Sequence, residues 1–133
     1  MKALRLDKRK DTPKIDFNPD TNIFWIEGKC HPENITIFFE PVLQWINDYF
    51  FEIKDRKDVN MVFNLKYDYI NSSSYKYQIE LIRSLSKFLL NGIAIEIVWH
   101  YEKEDDDMRD SGIELFEMCE IKVPHRFQVY KAE

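Results

Sequence analysis

The stretch VNMVFNLKYDYINSSSYKYQIELIRSLSKFLLNG, residues 59–92, decides the fold because it holds a strand, a polar break and a helix in succession. Apolar and polar residues alternate over residues 59–69, which is the period-2 pattern of a strand. Apolar residues then recur at helical spacing over residues 81–89, until Asn91-Gly92 marks a helix C-terminus. The segment therefore predicts a strand-to-helix junction at Asn71-Ser72-Ser73-Ser74.

Serines at such a junction have two interpretations. A serine hydroxyl commonly caps a helix by accepting a hydrogen bond from one of its unpaired first N–H groups. The first turn of a helix also favours an added negative charge, so a phosphate placed there is compatible with the fold and changes the surface. The junction is thus either a plain helix cap or a phosphorylation site.

Length and composition restrict the classes of protein to which the chain can belong. With 133 residues, 44% hydrophobic and 15% aromatic, it predicts one domain with a single core. The 19 basic and 24 acidic residues give a net charge of −5, which argues against general nucleic-acid binding. Without an apolar run of about 18 residues or a signal-peptide pattern, we expect a cytoplasmic protein that does not insert into membranes.

The N-terminal segment has the opposite charge from the rest of the chain. Its six basic residues outnumber Asp7 and Asp11: Lys2, Arg5, Lys8, Arg9, Lys10 and Lys14. We expect a solvated, mobile basic arm over residues 1–11 and one regulatory domain over residues 12–133.

The remaining patterns predict an α/β fold. Ile15–Phe17 and Ile23–Ile26 flank a turn-rich stretch and predict an N-terminal β-hairpin. A helix is expected from Asn34, an interior strand over Ile93–Trp99 and a third helix after the acidic run Glu102–Asp107, before a short edge strand. Strand–helix–strand crossovers of this length imply parallel neighbours in one sheet of four or five strands.

The sequence offers little that supports catalysis or a cofactor. His31, His100 and His125 are scattered over different elements, without the spacing of a metal site. The three glycines form no phosphate-binding loop and no nucleophile elbow. Because Cys30 and Cys119 lie far apart, we expect reduced thiols. The pattern favours a protein that is not an enzyme and needs neither cofactor nor metal.

With the junction placed, the chain resembles the SiaC family of bacterial regulatory phosphoproteins from about Thr12 to Val129. Five groups of residues, in order and spacing, carry the resemblance: Thr12-Pro13, Pro32-Glu33-Asn34, Trp45, Tyr69-Ile70-Asn71-Ser72-Ser73-Ser74 and Trp99-His100-Tyr101. The resemblance implies a fold like that of anti-sigma-factor antagonist (STAS) domains.

The resemblance also implies a function. A histidine-kinase-like Ser/Thr kinase phosphorylates such a protein, and a PPM-type phosphatase reverses the reaction. The unphosphorylated form binds and activates a diguanylate cyclase, which raises cyclic di-GMP and promotes aggregation or biofilm formation. An alternative is a partner-switching protein that binds an anti-sigma factor or another kinase-like partner and has no link to cyclic di-GMP. A less favoured alternative is a small enzyme or ligand-binding domain that uses His100 and the acidic run.

The family's phosphoacceptor is a threonine after Tyr-Leu-Asn, which corresponds to Ser72 after Tyr69-Ile70-Asn71. Serine carries the same alkyl hydroxyl, so the phosphorylation chemistry is retained. Ser73 and Ser74 remain alternative acceptors. The expected partner-binding surface comprises the junction and the end of the next parallel strand, namely Asn71, Ser73, Tyr75, His100 and Tyr101.

Overall fold

The computed structural model describes residues 1–132. These residues form six strands and three helices in the following order: β1 (Leu4–Leu6), β2 (Lys14–Asn18), β3 (Ile23–Cys30), α1 (Ile35–Ile53), β4 (Asn60–Ile70), α2 (Ser72–Leu90), β5 (Ala94–Glu102), α3 (Asp106–Met118) and β6 (His125–Tyr130). The strands lie side by side in chain order in one sheet. The predicted α/β class is confirmed, with one or two strands more than expected.

The predicted hairpin and the predicted parallel pair are both present. β2 and β3 pair antiparallel, with Ile15 opposite Ile26. β4 and β5 pair parallel, with Phe63 opposite Ile97. The helix between β4 and β5 is long enough to return the chain to the start of the next strand, which is what a parallel neighbour requires.

One face of the sheet and the three helices enclose the core. Alternate residues of the central strands are fully buried on this face, among them Phe24, Phe63 and Trp99. Within residues 1–132 the opposite face carries no helix, and it holds polar residues such as Glu27 and Lys66. An alternating pattern of this kind is expected of a sheet with only one covered face.

The basic arm that we expected to be mobile contributes a strand to the sheet. Residues Leu4–Leu6 form the edge strand β1, antiparallel to β2. The Trp45 indole N–H also donates a hydrogen bond of 3.0 Å to the carbonyl of Lys2. The basic charge of this segment suggested a solvated arm. Its pairing with β2 and the packing of Leu4 against the core instead hold it in place.

Candidate functional site

All three helices begin at the same edge of the sheet. Strands β3 to β6 run parallel, so their carboxyl ends meet at this edge, and each of the first three leads directly into a helix. We call it the carboxyl edge. Loops at the carboxyl ends of parallel strands are a common location for functional residues, because the rigid sheet positions them. The Asn71–Ser74 junction lies there, between β4 and α2.

Asn71, and not a serine, caps helix α2. Its side-chain oxygen accepts a hydrogen bond of 2.9 Å from the backbone N–H of Ser74. Its own N–H donates to the carbonyl of Cys30 at 3.1 Å, which fixes the cap against the end of β3. Ser72 is then the first residue of the helix and is exposed. The Ser72 hydroxyl therefore does not cap the helix, although the sequence allowed that role.

The two serines after Ser72 lie in different environments. Ser73 is exposed, and its hydroxyl donates a long hydrogen bond of 3.4 Å to the side-chain oxygen of Asn71. Ser74 is completely buried beside the Cys30 thiol, whose pKa burial raises to about 11. A kinase cannot reach the Ser74 hydroxyl in the folded chain, so its burial does not fit the role of alternative acceptor.

Ser72 opens onto a shallow depression of about 330 Å³ between the starts of α2 and α3. Its walls are formed by residues of both helices and of the junction: Ile70, Asn71, Ser72, Tyr75, Lys76, Ser111 and Glu114. The half-buried Tyr75 joins the two helices, since its hydroxyl donates a hydrogen bond of 2.9 Å to the carbonyl of Ser111. Burial raises the pKa of the Tyr75 phenol, and the nearby Glu114 carboxylate raises it further.

The sequence did not indicate Lys76, Ser111 or Glu114 as members of this site. Lys76 follows Ser72 by four residues in α2, so helical spacing alone places both on one face. Ser111 and Glu114 belong to α3, forty residues away in the chain, and only the packing of α3 beside α2 brings them here.

His100 does not belong to the Ser72 surface, in contrast to the predicted grouping. Its ring nitrogen Nε2 lies 2.9 Å from the side-chain oxygen of Asn64, and its ring packs 5.2 Å from that of Trp25, on the sheet face without helices. Tyr101 lies on the other face, half-buried against the core. Successive strand residues point to opposite faces, which separates this neighbouring pair.

His100 should make folding stability depend on pH. Burial lowers its pKa from 6.5 to about 4, and the positive charges of Lys66 and Arg126 act in the same direction. Because the unfolded chain binds this proton more tightly, stability is lost as the pH falls from about 6.5 to about 4. Allowing for the half exposure of the ring, we expect a loss of about 1–2 kcal/mol.

The measurement is urea unfolding of the wild-type chain and of His100→Gln at several pH values between 7 and 4. Carboxylates titrate in both proteins, so the difference between the two unfolding free energies isolates the histidine. Parallel pH profiles would contradict the assignment.

Within residues 1–132, no three His, Cys, Asp or Glu side chains converge as a metal site would require. None of the helices in the same range is long and apolar enough to cross a membrane. Both cysteines are free and buried. At the carboxyl edge, the exposed Ser72 and Ser73 side chains lie in the first turn of α2.

A single sheet covered on one face by three helices, with an exposed serine at a strand-to-helix junction, defines a small mixed α/β domain. The chain belongs to the SiaC family of regulatory phosphoproteins, whose family model matches residues 6–128. The resemblance deduced from the sequence is thereby confirmed.

Pseudomonas aeruginosa has proteins that are similar to this chain. An uncharacterised protein of strain UCBPP-PA14 is 22% identical over 119 residues, which cover 90% of this chain and 91% of that protein. The crystal structure of apo-SiaC matches with a TM-score of 0.81 at 22% identity, covering 96% of this chain and 99% of that one. A crystal structure of the diguanylate cyclase SiaD in complex with its activator SiaC matches with a TM-score of 0.82 at 21% identity and the same coverage. At these identities the structures establish the shared fold.

Proposed function

We propose that this chain is a non-enzymatic regulatory protein that binds and activates a diguanylate cyclase while Ser72 is unmodified, and releases it when Ser72 is phosphorylated. The observation that carries the proposal is the exposed Ser72 hydroxyl at the first position of α2, which the Asn71 cap leaves free. Membership of a family of regulatory phosphoproteins supports the role of a modified residue.

The start of α2 can accommodate a phosphate without disturbing the core. The first N–H groups of a helix have no intrahelical partner, and the helix dipole favours negative charge there. Lys76 lies one turn further along the same face and lines the same depression, so its ammonium group adds a favourable charge. We therefore expect phosphorylation to leave the fold nearly unchanged.

The same phosphate would disturb a docked partner. It adds about −1.5 to −2 charges and a hydration shell to a small depression that already holds Glu114. A partner covering this surface would have to strip that water from the phosphate without supplying equivalent hydrogen bonds. Asn71, Ser73 and Tyr75 are the proposed direct contacts beside Ser72.

The proposed regulation needs two opposing enzymes. A histidine-kinase-like Ser/Thr kinase adds the phosphate and a PPM-type phosphatase removes it, so their balance sets cyclic di-GMP production and, through it, biofilm formation. Because the kinase consumes ATP, we place the protein in the cytoplasm. Ser73, exposed and adjacent, is the second candidate acceptor.

The test is calorimetric titration of a purified diguanylate cyclase with four forms of this chain: unmodified, phosphorylated on Ser72, Ser72→Ala and Ser73→Ala. We expect the phosphorylated form to bind at least tenfold more weakly. Ser72→Ala should bind like the unmodified chain and resist inhibition by the kinase, since it removes only the acceptor. Ser73→Ala is the matched control, because it deletes an equally exposed hydroxyl and should remain sensitive to the kinase.

Equal affinities of the unmodified and phosphorylated chains would remove Ser72 as the switch. If only Ser73→Ala abolished the response to the kinase, the switch would stand with Ser73 as its acceptor. A chain that bound a histidine-kinase-like protein and no cyclase would favour partner switching unrelated to cyclic di-GMP.

A further inference from the structure

The loop between β1 and β2 lies at the same carboxyl edge as Ser72. Leu6, the last residue of β1, pairs with Ile15 near the start of β2, so the loop spans residues 7–13 at this edge. It is held in place by backbone hydrogen bonds: Arg9 N–H donates to the Thr12 carbonyl at 3.0 Å, and His31 N–H donates to the Asp11 carbonyl at 2.9 Å. The loop between β1 and β2 therefore has a defined conformation at this edge.

A short path of backbone contacts connects this loop to the phosphorylation site. Asp11 bonds to His31, and the preceding residue, Cys30, accepts the hydrogen bond from Asn71, the cap of α2. β2 and β4 are separated only by β3 in the sheet. Two strand spacings amount to about 10 Å, so one protein partner can cover the loop and Ser72 together.

The loop carries cations that the rest of the chain does not neutralise. Lys8, Arg9 and Lys10 are exposed, and no ion pair in residues 1–132 involves them. By contrast, Arg5 lies 3.5 Å from Asp16 and Lys14 lies 3.4 Å from Glu27. Asp7 and Asp11 in the loop offset part of this charge. We call Lys8, Arg9 and Lys10 the basic loop.

Ser72 lies between the basic loop and an acidic loop. On the far side of β4, this acidic loop and the residues next to it, from the end of β5 to the first turn of α3, carry five acidic residues and one lysine over residues 102–107. Charge thus changes from positive to negative along the carboxyl edge, and Ser72 lies near the change. A dianion on Ser72 would extend negative charge toward the basic loop.

We propose that the basic loop is a second part of the partner-binding surface and recognises an acidic segment of the diguanylate cyclase. This inference rests on the proposed function, because it assigns the same partner to the same edge. Unpaired cations on a chain of net charge −5 are complementary to an acidic segment and guide its approach. Phosphate on Ser72, at the same edge of the sheet, repels that segment and competes with it for the cations.

The experiment compares two double charge reversals that change the net charge equally. Arg9→Glu/Lys10→Glu alters the basic loop and leaves Lys8, whose side chain packs over Gly28. Lys54→Glu/Lys87→Glu is the control, since Lys54 ends α1 and Lys87 lies in the last turn of α2, both at the opposite edge. Each purified variant is titrated calorimetrically into the cyclase at 50 and 300 mM NaCl, after circular dichroism has verified its fold.

We expect Arg9→Glu/Lys10→Glu to bind at least tenfold more weakly than wild type at 50 mM NaCl, with the difference shrinking at 300 mM, and the control to change affinity less than threefold. Equal losses in both variants, no loss in either, or a salt-independent loss would overturn the inference. Wild-type binding that is lost on Ser72 phosphorylation but insensitive to Arg9→Glu/Lys10→Glu would leave the proposed function intact. A wild-type chain that does not bind the cyclase would overturn both.

Discussion

Gly112→Val is expected to lower the free energy of unfolding by about 4 kcal/mol, the sum of overpacking and a lost buried hydrogen bond. A side chain at position 112 would place its Cβ only 2.5 Å from Cδ1 and Nε1 of Trp99. Trp99 is fully buried, and its indole N–H donates a hydrogen bond of 2.9 Å to the carbonyl of Met108. Its ring therefore has no space to move without losing that bond.

Chemical denaturation measures this effect, with Ser111→Ala as the control in the same turn of α3. Ser111 contributes its backbone carbonyl to Tyr75, which the substitution leaves in place, so the control should stay within about 0.5 kcal/mol of wild type. A Gly112→Val protein less than about 1 kcal/mol below wild type would mean that α3 does not press on Trp99 as described.

Gln78→Ala is expected to cost about 3 kcal/mol, because it opens a cavity and leaves the buried Tyr67 hydroxyl without its hydrogen-bond partner. Gln78 is fully buried in α2. Its side-chain oxygen accepts a hydrogen bond of 2.6 Å from the Tyr67 hydroxyl, and its amide nitrogen donates to the Ser74 carbonyl at 3.0 Å. This pair of bonds attaches the first turn of α2 to β4 directly beneath the Ser72 surface.

The matched control is Gln44→Ala, an exposed helical glutamine whose loss should cost no more than about 0.5 kcal/mol. A double variant, Tyr67→Phe with Gln78→Leu, removes both partners of the hydrogen bond and should be less destabilised than the two single variants predict together. Additive losses would show that Tyr67 and Gln78 do not act as a pair.

The central part of the fold was predictable from the sequence because its signals are long and agree with one another. Three patterns are each too long to be expected by chance. They are the alternation over residues 59–69, the helical spacing of apolar residues over residues 81–89 and the apolar run Ile93–Trp99. Together they predicted the parallel pairing of β4 and β5, which the structure confirms. The stop at Asn91-Gly92 is confirmed as well, with Gly92 at a positive φ of 83°.

The edge strand β1 could not be predicted, because its three residues are too few to show a period. Leu4–Leu6 alternates correctly, but it lies among basic residues and is defined only by its pairing with β2. The position of the basic loop near Ser72 depends on that pairing. The position of the basic loop is therefore set by the tertiary structure, and no local sequence pattern predicts it.

The candidate site was predicted in part. The junction and its exposed Ser72 followed from local patterns, whereas the identity of the cap did not, since Asn71 and each serine are all good capping residues. His100 was grouped with Ser72 because both follow parallel strands. His100 follows Trp99 directly in β5, and successive strand residues point to opposite faces. Because Trp99 is buried on the face covered by helices, the His100 side chain lies on the other face.

Because Asn71 supplies the cap, the proposed switch would place the demands of stability and of signalling on two adjacent positions of the chain. The residue that caps the start of a helix is constrained by hydrogen-bond geometry, whereas the exposed residue after it makes no capping bond. Serine and threonine should therefore be interchangeable at position 72 at almost no cost to folding. If Ser72 is the acceptor, as proposed, evolution can adjust the rate of its modification without changing the rest of the domain.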